Sequence, residues 1–240
     1  MTRRILAAAL ALLLLLGASF AEGTGRLAGF VIGVDPGHQL RGNSEKEPVA
    51  PGSDEKKAKV TSGTAGVSTR IPEYQVNLEV ALLLRNALEE EGATVVMTRE
   101  VNEVDISNRE RAILFNEAGV DLGLRIHCNG ADDRSVTGIG LFVRKTGASA
   151  EESREACRYL LPAMTEATGA RAYGIFQRDT YTGLNWCEGP CVLVEMGFMS
   201  NPEEDEKLCD PAYQALLAEG MTEGVCRYFA SGKDNAEIFK

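Results

Sequence analysis

Four side chains in this sequence have types and positions suited to metal or acid–base chemistry. His38 stands in "VIGVDPGHQL" and His127 in "LGLRIHCNGADD", and the 240 residues contain no other histidine. Each follows a short apolar run that breaks into turn-forming residues, so each ends a predicted strand. Glu73 opens a predicted helix just after Pro72, and Glu195 ends the apolar run of "GPCVLVEMGF". Two histidines and one carboxylate make a common catalytic zinc set, with a fourth position open to water. A second carboxylate within hydrogen-bond reach can take a proton from that water and pass it to a leaving amine, as hydrolysis of an amide requires. The gaps of 35, 54 and 68 residues match no short zinc motif such as His-Glu-x-x-His. Spacing alone leaves two readings open: metal ligands, or histidines that serve as structural hydrogen-bonders at strand ends.

The elements that must position these residues can be read from pattern. "GFVIGVD" is a short β-branched run that predicts a buried strand ending at Pro36-Gly37. "PEYQVNLEVALLLRNALEEEG" carries apolar residues at Val76, Val80, Leu83, Leu84 and Leu88, a proline near its first turn and Gly92 as a stop, which predicts a helix. "ATVVMTR" reads as a strand, "SNRERAILFNEAG" as a helix capped by Ser107, and "VDLGLRIH" as a strand. "GIGLFVR", "SAEESREACRYLLPAMTEATG", "GPCVLVEMGF" and "DPAYQALLAEGMTEGVCRYFAS" continue as strand, helix, strand and closing helix. Alternation of this kind predicts one layered α/β domain, with a mostly parallel or mixed twisted sheet flanked by helices. In such sheets ligands bind beyond the carboxyl ends of the strands, where the four residues would meet. The stretch from Gln39 to Ile71 is polar, glycine-bearing and charge-dense, and so long a connection is expected to be functional or partly disordered.

Composition narrows the setting. Residues 1–21 carry Arg3 and Arg4, a 12-residue apolar run from Ile5 to Leu16 and then Ser19-Phe20-Ala21, the pattern of a cleaved secretory signal. A membrane-spanning helix needs about 20 apolar residues, so no stable span is expected once the leader is removed. Cleavage would leave residues 22–240 as one catalytic-sized domain. It would remove two arginines and no acid, so the formal charge of −10 becomes −12. An acidic chain without a basic stripe is a poor candidate for binding nucleic acid or an anionic membrane, and no nucleic-acid partner is expected. Six cysteines allow 15 pairings in an oxidising compartment, and Cys187 with Cys191 forms the nearest pair, open to either a disulfide or free thiols.

"IGVDPGHQ", "PEYQVNLEVALLLRNALEEEGATVVMTRE", "RIHCNG" and "VLVEMGFMSNPEEDEKL", in this order, resemble the zinc-dependent N-acetylmuramoyl-L-alanine amidases of the type 3 amidase family. The resemblance runs from about Val31 to Phe229. It implies a phosphorylase/hydrolase-like α/β fold and one zinc ion per chain held by His38, Glu73 and His127, with Glu195 as catalytic acid/base. It also implies export to the cell wall, periplasm or extracellular space, and peptidoglycan as substrate, cut between N-acetylmuramic acid and the L-alanine of the stem peptide. Rivals are a catalytically silent wall-binding protein on the same scaffold and a zinc peptidase acting on stem peptides.

The chain departs from the family where Arg125-Ile126-His127-Cys128-Asn129 replaces the usual Ser-Ile-His-Ala-Asn and where Gln39 replaces a glycine. The Gln39–Ile71 segment is longer than in many members and could roof the groove. Restraint of a wall-cutting enzyme by that segment, or by a protein regulator, is therefore expected. Strand alternation places Asn129 beside His127 and turns Cys128 away. For Asp35, Asn77 and Asn129, support of the site and ordinary loop bonding are both open. Ser200 and Asn201 read as structural, Phe198 as core and Trp186 as buried rather than groove-lining.

Overall fold

The computed structural model describes residues 25–147 and 149–238, with side chains as far as residue 232. The expected leader, residues 1–21, lies outside the described residues. No helix among the described residues is long and apolar enough to cross a membrane.

Strands β1 (Val31–Pro36), β4 (Thr94–Met97), β5 (Leu122–Asn129), β6 (Ile139–Val143), β7 (Ala172–Gln177) and β8 (Cys191–Phe198) form one sheet in the order β4-β1-β5-β8-β6-β7. The β4-β1-β5-β8 block is parallel, β6 runs antiparallel to β8, and β7 is parallel to β6. The sheet is thus mixed, as the alternating sequence pattern allows. The remaining two strands, β2 (Asn43–Pro48) and β3 (Lys56–Val60), pair as a separate antiparallel hairpin.

The central strands have a core on each face, which explains why their sequences read as near-continuous apolar runs. On one face Ile32 and Val34, Leu124, Ile126 and Cys128, Val192 and Val194, and Leu141 and Val143 join one buried cluster. Helices α1 (Glu73–Glu90), α3 (Ala150–Thr168) and α6 (Pro211–Ile238) cover it with residues such as Val80, Leu84, Leu160 and Met221. On the other face Phe142, Cys191 and Leu193 pack against Ala112 and Phe115 of α2 (Asn108–Glu117) and Leu184 of α4 (Thr182–Trp186). Alternation along β5 puts Arg125, His127 and Asn129 on this second face. The short α2 and α4 leave the carboxyl ends of β5 and β8 open, and a cleft of about 840 Å³ lies there.

Helix α2 starts as predicted: Ser107 accepts a hydrogen bond from the Glu110 amide while the Glu110 side chain accepts one from the Ser107 amide, a complete capping box. Asn201 likewise caps α5 (Pro202–Leu208). Helix α6 extends past the predicted end at Ser231, continuing through Gly232 to Ile238. A single glycine costs only about 1 kcal/mol in a helix, too little to stop one otherwise built of helix-compatible residues.

The Gln39–Ile71 segment is the largest departure from expectation. Its charge-dense core is the β2-β3 hairpin, fixed against the helices of the second face. Asn185 and the Trp186 indole donate to the Val49 and Pro48 carbonyls at 3.0 and 2.9 Å, Lys57 donates to the Thr180 carbonyl at 2.8 Å, and Glu47 accepts from the Arg109 amide at 3.0 Å. Its outward strands carry Lys and Glu, which hid their β character.

Candidate metal centre

The chain leaves β1 at Pro36-Gly37, where the Gly37 amide donates to the Ile126 carbonyl of β5 at 2.8 Å. The next residue, His38, adopts a left-handed backbone with φ 61°. That is a conformation a histidine rarely takes, and it turns the imidazole into the cleft. Gly37 has to be glycine: a Cβ there would fall 2.2 Å from the His127 ring. Gly63, with φ +79°, closes in from the other side, where a Cβ would lie 2.5 Å from Glu73 Oε2 and 2.8 Å from His38.

His38, Glu73 and His127 converge in this corner, and their candidate ligand atoms all lie within 4.8 Å of one another. His38 Nε2 and His127 Nδ1 each stand 3.2 Å from Glu73 Oε1. The other ring nitrogen of His38, Nδ1, is 2.9 Å from the Thr61 carbonyl at the end of β3, which can only accept. The Thr61 hydroxyl lies 3.0 Å from the same nitrogen, so Thr61 fixes the ring with Nε2 facing the corner. Glu73 is held by the Thr64 amide at 3.0 Å, the Cys128 amide at 3.1 Å and the Asn77 side chain at 3.2 Å. Burial pushes the Glu73 carboxyl up, but hydrogen bonds from His127 and His38 outweigh it and hold the group well below the carboxylate range. Burial lowers the His127 pKa, against the pull of Glu73, so its imidazole is neutral at neutral pH. Two imidazoles and a carboxylate, with His38 and Glu73 each held by further partners, are a donor set that fits zinc.

Glu195 enters from the neighbouring strand. In the parallel β5-β8 ladder it lies directly opposite His127, so both side chains leave the same face. It is 9% exposed, and Oε2 is buried without a hydrogen-bond partner. Burial, and then the charge of Glu73, push its carboxyl well above the ordinary range. Such a group is matched to proton transfer near neutrality.

Cys128 does face away, as alternation predicts: it is 4% exposed within the main core and its thiol is pushed well up by burial and by Glu73. A thiolate nucleophile is not available there. All six cysteines are free thiols, Cys187 and Cys191 included. Asn77 supports the site, donating to both the Gly37 carbonyl and Glu73. Asn129 lines the cleft, and its side chain accepts from the Gly130 amide. Ser200 accepts from the Ala131 amide and Asn201 donates to the Arg134 carbonyl, so the pair pins the loop after β5. Phe198 is 2% exposed. Trp186 is half-buried, does not line the cleft, and holds the hairpin instead.

Sequence reading missed the arginines beneath the turn. Asp35 is not a loop hydrogen-bonder: it is fully buried and paired with Arg111 Nη1 at 2.7 Å and with Arg125 Nη2 at 3.0 Å, the second at ion-pair distance but off the line of a hydrogen bond. Burial alone would push its carboxyl up, but Arg125, Arg111 and the Thr98 hydroxyl hold it far below the ordinary range. Arg111 also donates to the Pro36 and His38 carbonyls at 2.8 and 3.0 Å and to Gln39 Oε1 at 3.1 Å. Arg99 donates to the Pro36, Gly37 and Tyr74 carbonyls. These guanidinium groups mould the Pro36–Gln39 turn, and the departure at Gln39 supplies one of their acceptors. The available signal was an arginine on the apolar side of α2, two residues after Arg109.

Residues 32–227 match the protein family described as N-acetylmuramoyl-L-alanine amidase. The germination-specific N-acetylmuramoyl-L-alanine amidase of Bacillus subtilis is 29% identical over 191 residues, covering 71% of this chain and 76% of the relative. Among solved structures, the apo form of the amidase Ami1 from Mycobacterium abscessus is 26% identical with a TM-score of 0.78, covering 85% of this chain and 100% of that one. The CwlD amidase from Clostridioides difficile, solved in complex with the GerS lipoprotein, shares the fold with a TM-score of 0.68 at 22% identity, covering 85% of this chain and 100% of that one.

Proposed function

Because the chain belongs to the N-acetylmuramoyl-L-alanine amidase family and is a peptidoglycan amidase, we propose that His38, Glu73 and His127 hold one zinc ion and that Glu195 moves the proton during amide hydrolysis. One observation carries this reading: a three-donor corner stands beside a buried carboxylate, registered opposite one of the donors, whose Oε2 has no protein partner. The bond cut is the amide joining the lactyl group of N-acetylmuramic acid to L-alanine.

The zinc ion supplies Lewis acidity for the scissile carbonyl and for water. Glu195 takes the proton of the attacking water on its free carboxylate oxygen and returns it to the leaving nitrogen, which departs as the amine of L-alanine. His38 is held in orientation by the carbonyl and hydroxyl of Thr61 at Nδ1. Glu73 is kept ionised and fixed by the Asn77 side chain and the Cys128 and Thr64 amides. Asn129 and Ser200 line the cleft where the peptide would lie.

Residues 1–21 are the export signal in this reading, since the substrate lies outside the cytoplasm. A regulatory protein partner is proposed by analogy with the Clostridioides difficile relative, which was solved in complex with a lipoprotein. Restraint by the Gln39–Ile71 segment is a separate proposal, and because Thr61, Gly63 and Thr64 are part of the metal corner, its test must leave those residues in place.

The test is release of L-alanine amino groups from purified peptidoglycan, run with a chelator and again after zinc is restored. Release that the chelator stops and zinc revives is expected. Release indifferent to chelation would remove the metal from the mechanism, and cleavage only within the stem peptide would make the chain a peptidase.

A further inference from the structure

The sheet face that bears His127 and Glu195 continues past them toward its edge, and what lies there is aromatic. In register opposite Glu195, β6 carries Gly140. A Cβ at Gly140 would sit 3.1 Å from Tyr173 Cδ1, 3.4 Å from Phe142 and 3.9 Å from the Glu195 Cβ. The missing side chain therefore lets the Tyr173 ring lie across β6 and arrive next to the proposed acid/base. Tyr173 comes from the edge strand β7, at an irregular step where Ile139 pairs with Ala172 and Gly140 with Gly174, so that Tyr173 is the extra residue. It is 38% exposed. Phe198 meets its ring edge-on at 5.1 Å and Phe176 tilts against it at 5.1 Å, while Phe142 stacks on Phe176 at 5.0 Å. The ring is thus braced from below with one side turned to solvent.

Resting on the amidase reading, we propose that Tyr173, laid over Gly140, is a stacking platform for a pyranose ring of the glycan strand, placing the sugar on the β6-β7 side of Glu195. The substrate has two chemically unlike arms at the scissile bond: a neutral glycan with apolar ring faces, and a stem peptide bearing amides and charge. The surroundings of Glu195 are unlike on its two sides. Asn129 on β5, with Asn108 and Asp132, lines the cleft and provides amide and carboxylate groups on one side of Glu195. On the other side Tyr173, with Phe176 against it and buried Phe198 beneath, offers aromatic carbon and a single hydroxyl. A braced, part-exposed aromatic ring beside the proposed acid/base is suited to an apolar ring face and poorly suited to a charged peptide. Paired strands are about 4.8 Å apart, so β7 lies roughly 10 Å from Glu195, a span of about two sugar rings.

The test compares the wild-type chain with Tyr173→Ser, Tyr173→Phe and Gly140→Ala. KM and kcat are measured on peptidoglycan, and inhibition constants are measured for peptide-free glycan strands and for the free stem peptide. Tyr173→Ser is expected to raise KM and the glycan inhibition constant about tenfold, leaving kcat and the peptide constant within twofold. Tyr173→Phe, which keeps the ring, should behave as wild type. Gly140→Ala, whose new methyl presses on the ring, should fall between. Equal weakening toward both inhibitors, a fall in kcat at constant KM, or a loss in Tyr173→Phe equal to that in Tyr173→Ser would overturn the platform. Should Tyr173→Ser fail to fold, failure of peptide-free glycan strands to compete with peptidoglycan on the wild-type chain would overturn it equally. An inactive wild type would instead strike at the amidase reading; an active one that Tyr173→Ser leaves unchanged would remove only the platform.

Discussion

Two cross-strand pairs lie one step apart on the same sheet face, Asp35 with Arg125 between β1 and β5, and His127 with Glu195 between β5 and β8. Both contain a buried carboxylate, and they are treated in opposite ways. Asp35 has two guanidinium groups and a hydroxyl around it and stays ionised far below the ordinary carboxylate range. Glu195 has no cation at hand, one oxygen without a partner, and a carboxyl driven upward by burial and by Glu73. A closed pair gives a rigid foundation, because leaving either partner alone in the interior is expensive. An open carboxylate is a standing cost to the fold that chemistry can use. The lower pair holds the turn that aims His38, and the upper one is left free to exchange a proton.

The sharpest way to break that contrast is Glu195→Gln. General acid–base groups contribute on the order of 10²–10⁴ in rate, and a loss of that size in kcat is expected here. Metal content should stay near one zinc per chain and the melting temperature should not fall, because an unpaired buried charge has been removed. A variant that keeps its turnover, or loses its zinc, would show that Glu195 has another task.

Asp35→Asn should do the reverse. It strands Arg111 and Arg125 without their shared anion, at a cost of about 3–5 kcal/mol in unfolding free energy, measurable by denaturant titration. The sign with pH follows from the depressed folded-state pKa: Asp35 contributes its full stabilisation above the unfolded value of about 3.9 and loses it as pH falls toward the folded value. The stability gap between wild type and Asp35→Asn should therefore be level from neutral pH down to about pH 5 and narrow below it. A gap that widens in acid would mean that Asp35 is not held ionised by its arginines.

This contrast also marks how far sequence could be read. The parallel strands and their helices were legible because residues such as Val76, Val80, Leu84 and Leu88 repeat at helical spacing and β1, β5 and β8 are apolar throughout. The four chemical residues were legible as types at strand and helix ends, and their convergence follows from the sheet order. Arg99 and Arg111 were not, since an arginine on a helix or after a strand is ordinarily a solvated charge, and only the tertiary placement of Asp35 buries it. The hairpin was hidden because its lysines and glutamates face outward and its anchors are backbone carbonyls received by Asn185 and Trp186. Strand β7 and the aromatic shelf were also invisible, because "AYGIFQ" breaks its alternation at the irregular step around Gly174.

Asn77 offers a smaller effect that sharpens the same comparison. It bridges the Gly37 carbonyl and Glu73, joining the moulded turn to the ligand corner. Partners of metal ligands are typically worth 10–100-fold in metal affinity, so Asn77→Ala should weaken zinc binding by that factor in a competition with a chromophoric chelator. Saturating zinc should restore most of the activity. Loss of activity that excess zinc does not rescue would place Asn77 in the reaction rather than behind the metal.

The smallest effect is expected at Trp186, farthest from the chemistry. Trp186→Phe removes the indole donor to the Pro48 carbonyl and keeps a ring under Arg109, whose guanidinium carbon lies 4.3 Å from the ring centroid. A hydrogen bond of this kind is worth about 0.5–1.5 kcal/mol, and stability should fall by no more than that. Zinc affinity should not change, because the segment that touches His38 and Glu73 is tied down separately. Buried Asp205 accepts from the Ser68 and Thr69 amides at 2.7 and 2.9 Å and from the Thr69 hydroxyl at 2.6 Å. The hairpin can thus loosen at its far end while Thr61 and Thr64 hold the corner. A drop in zinc affinity in Trp186→Phe would mean that the hairpin transmits its anchoring to the metal after all, and would support it as a regulatory element.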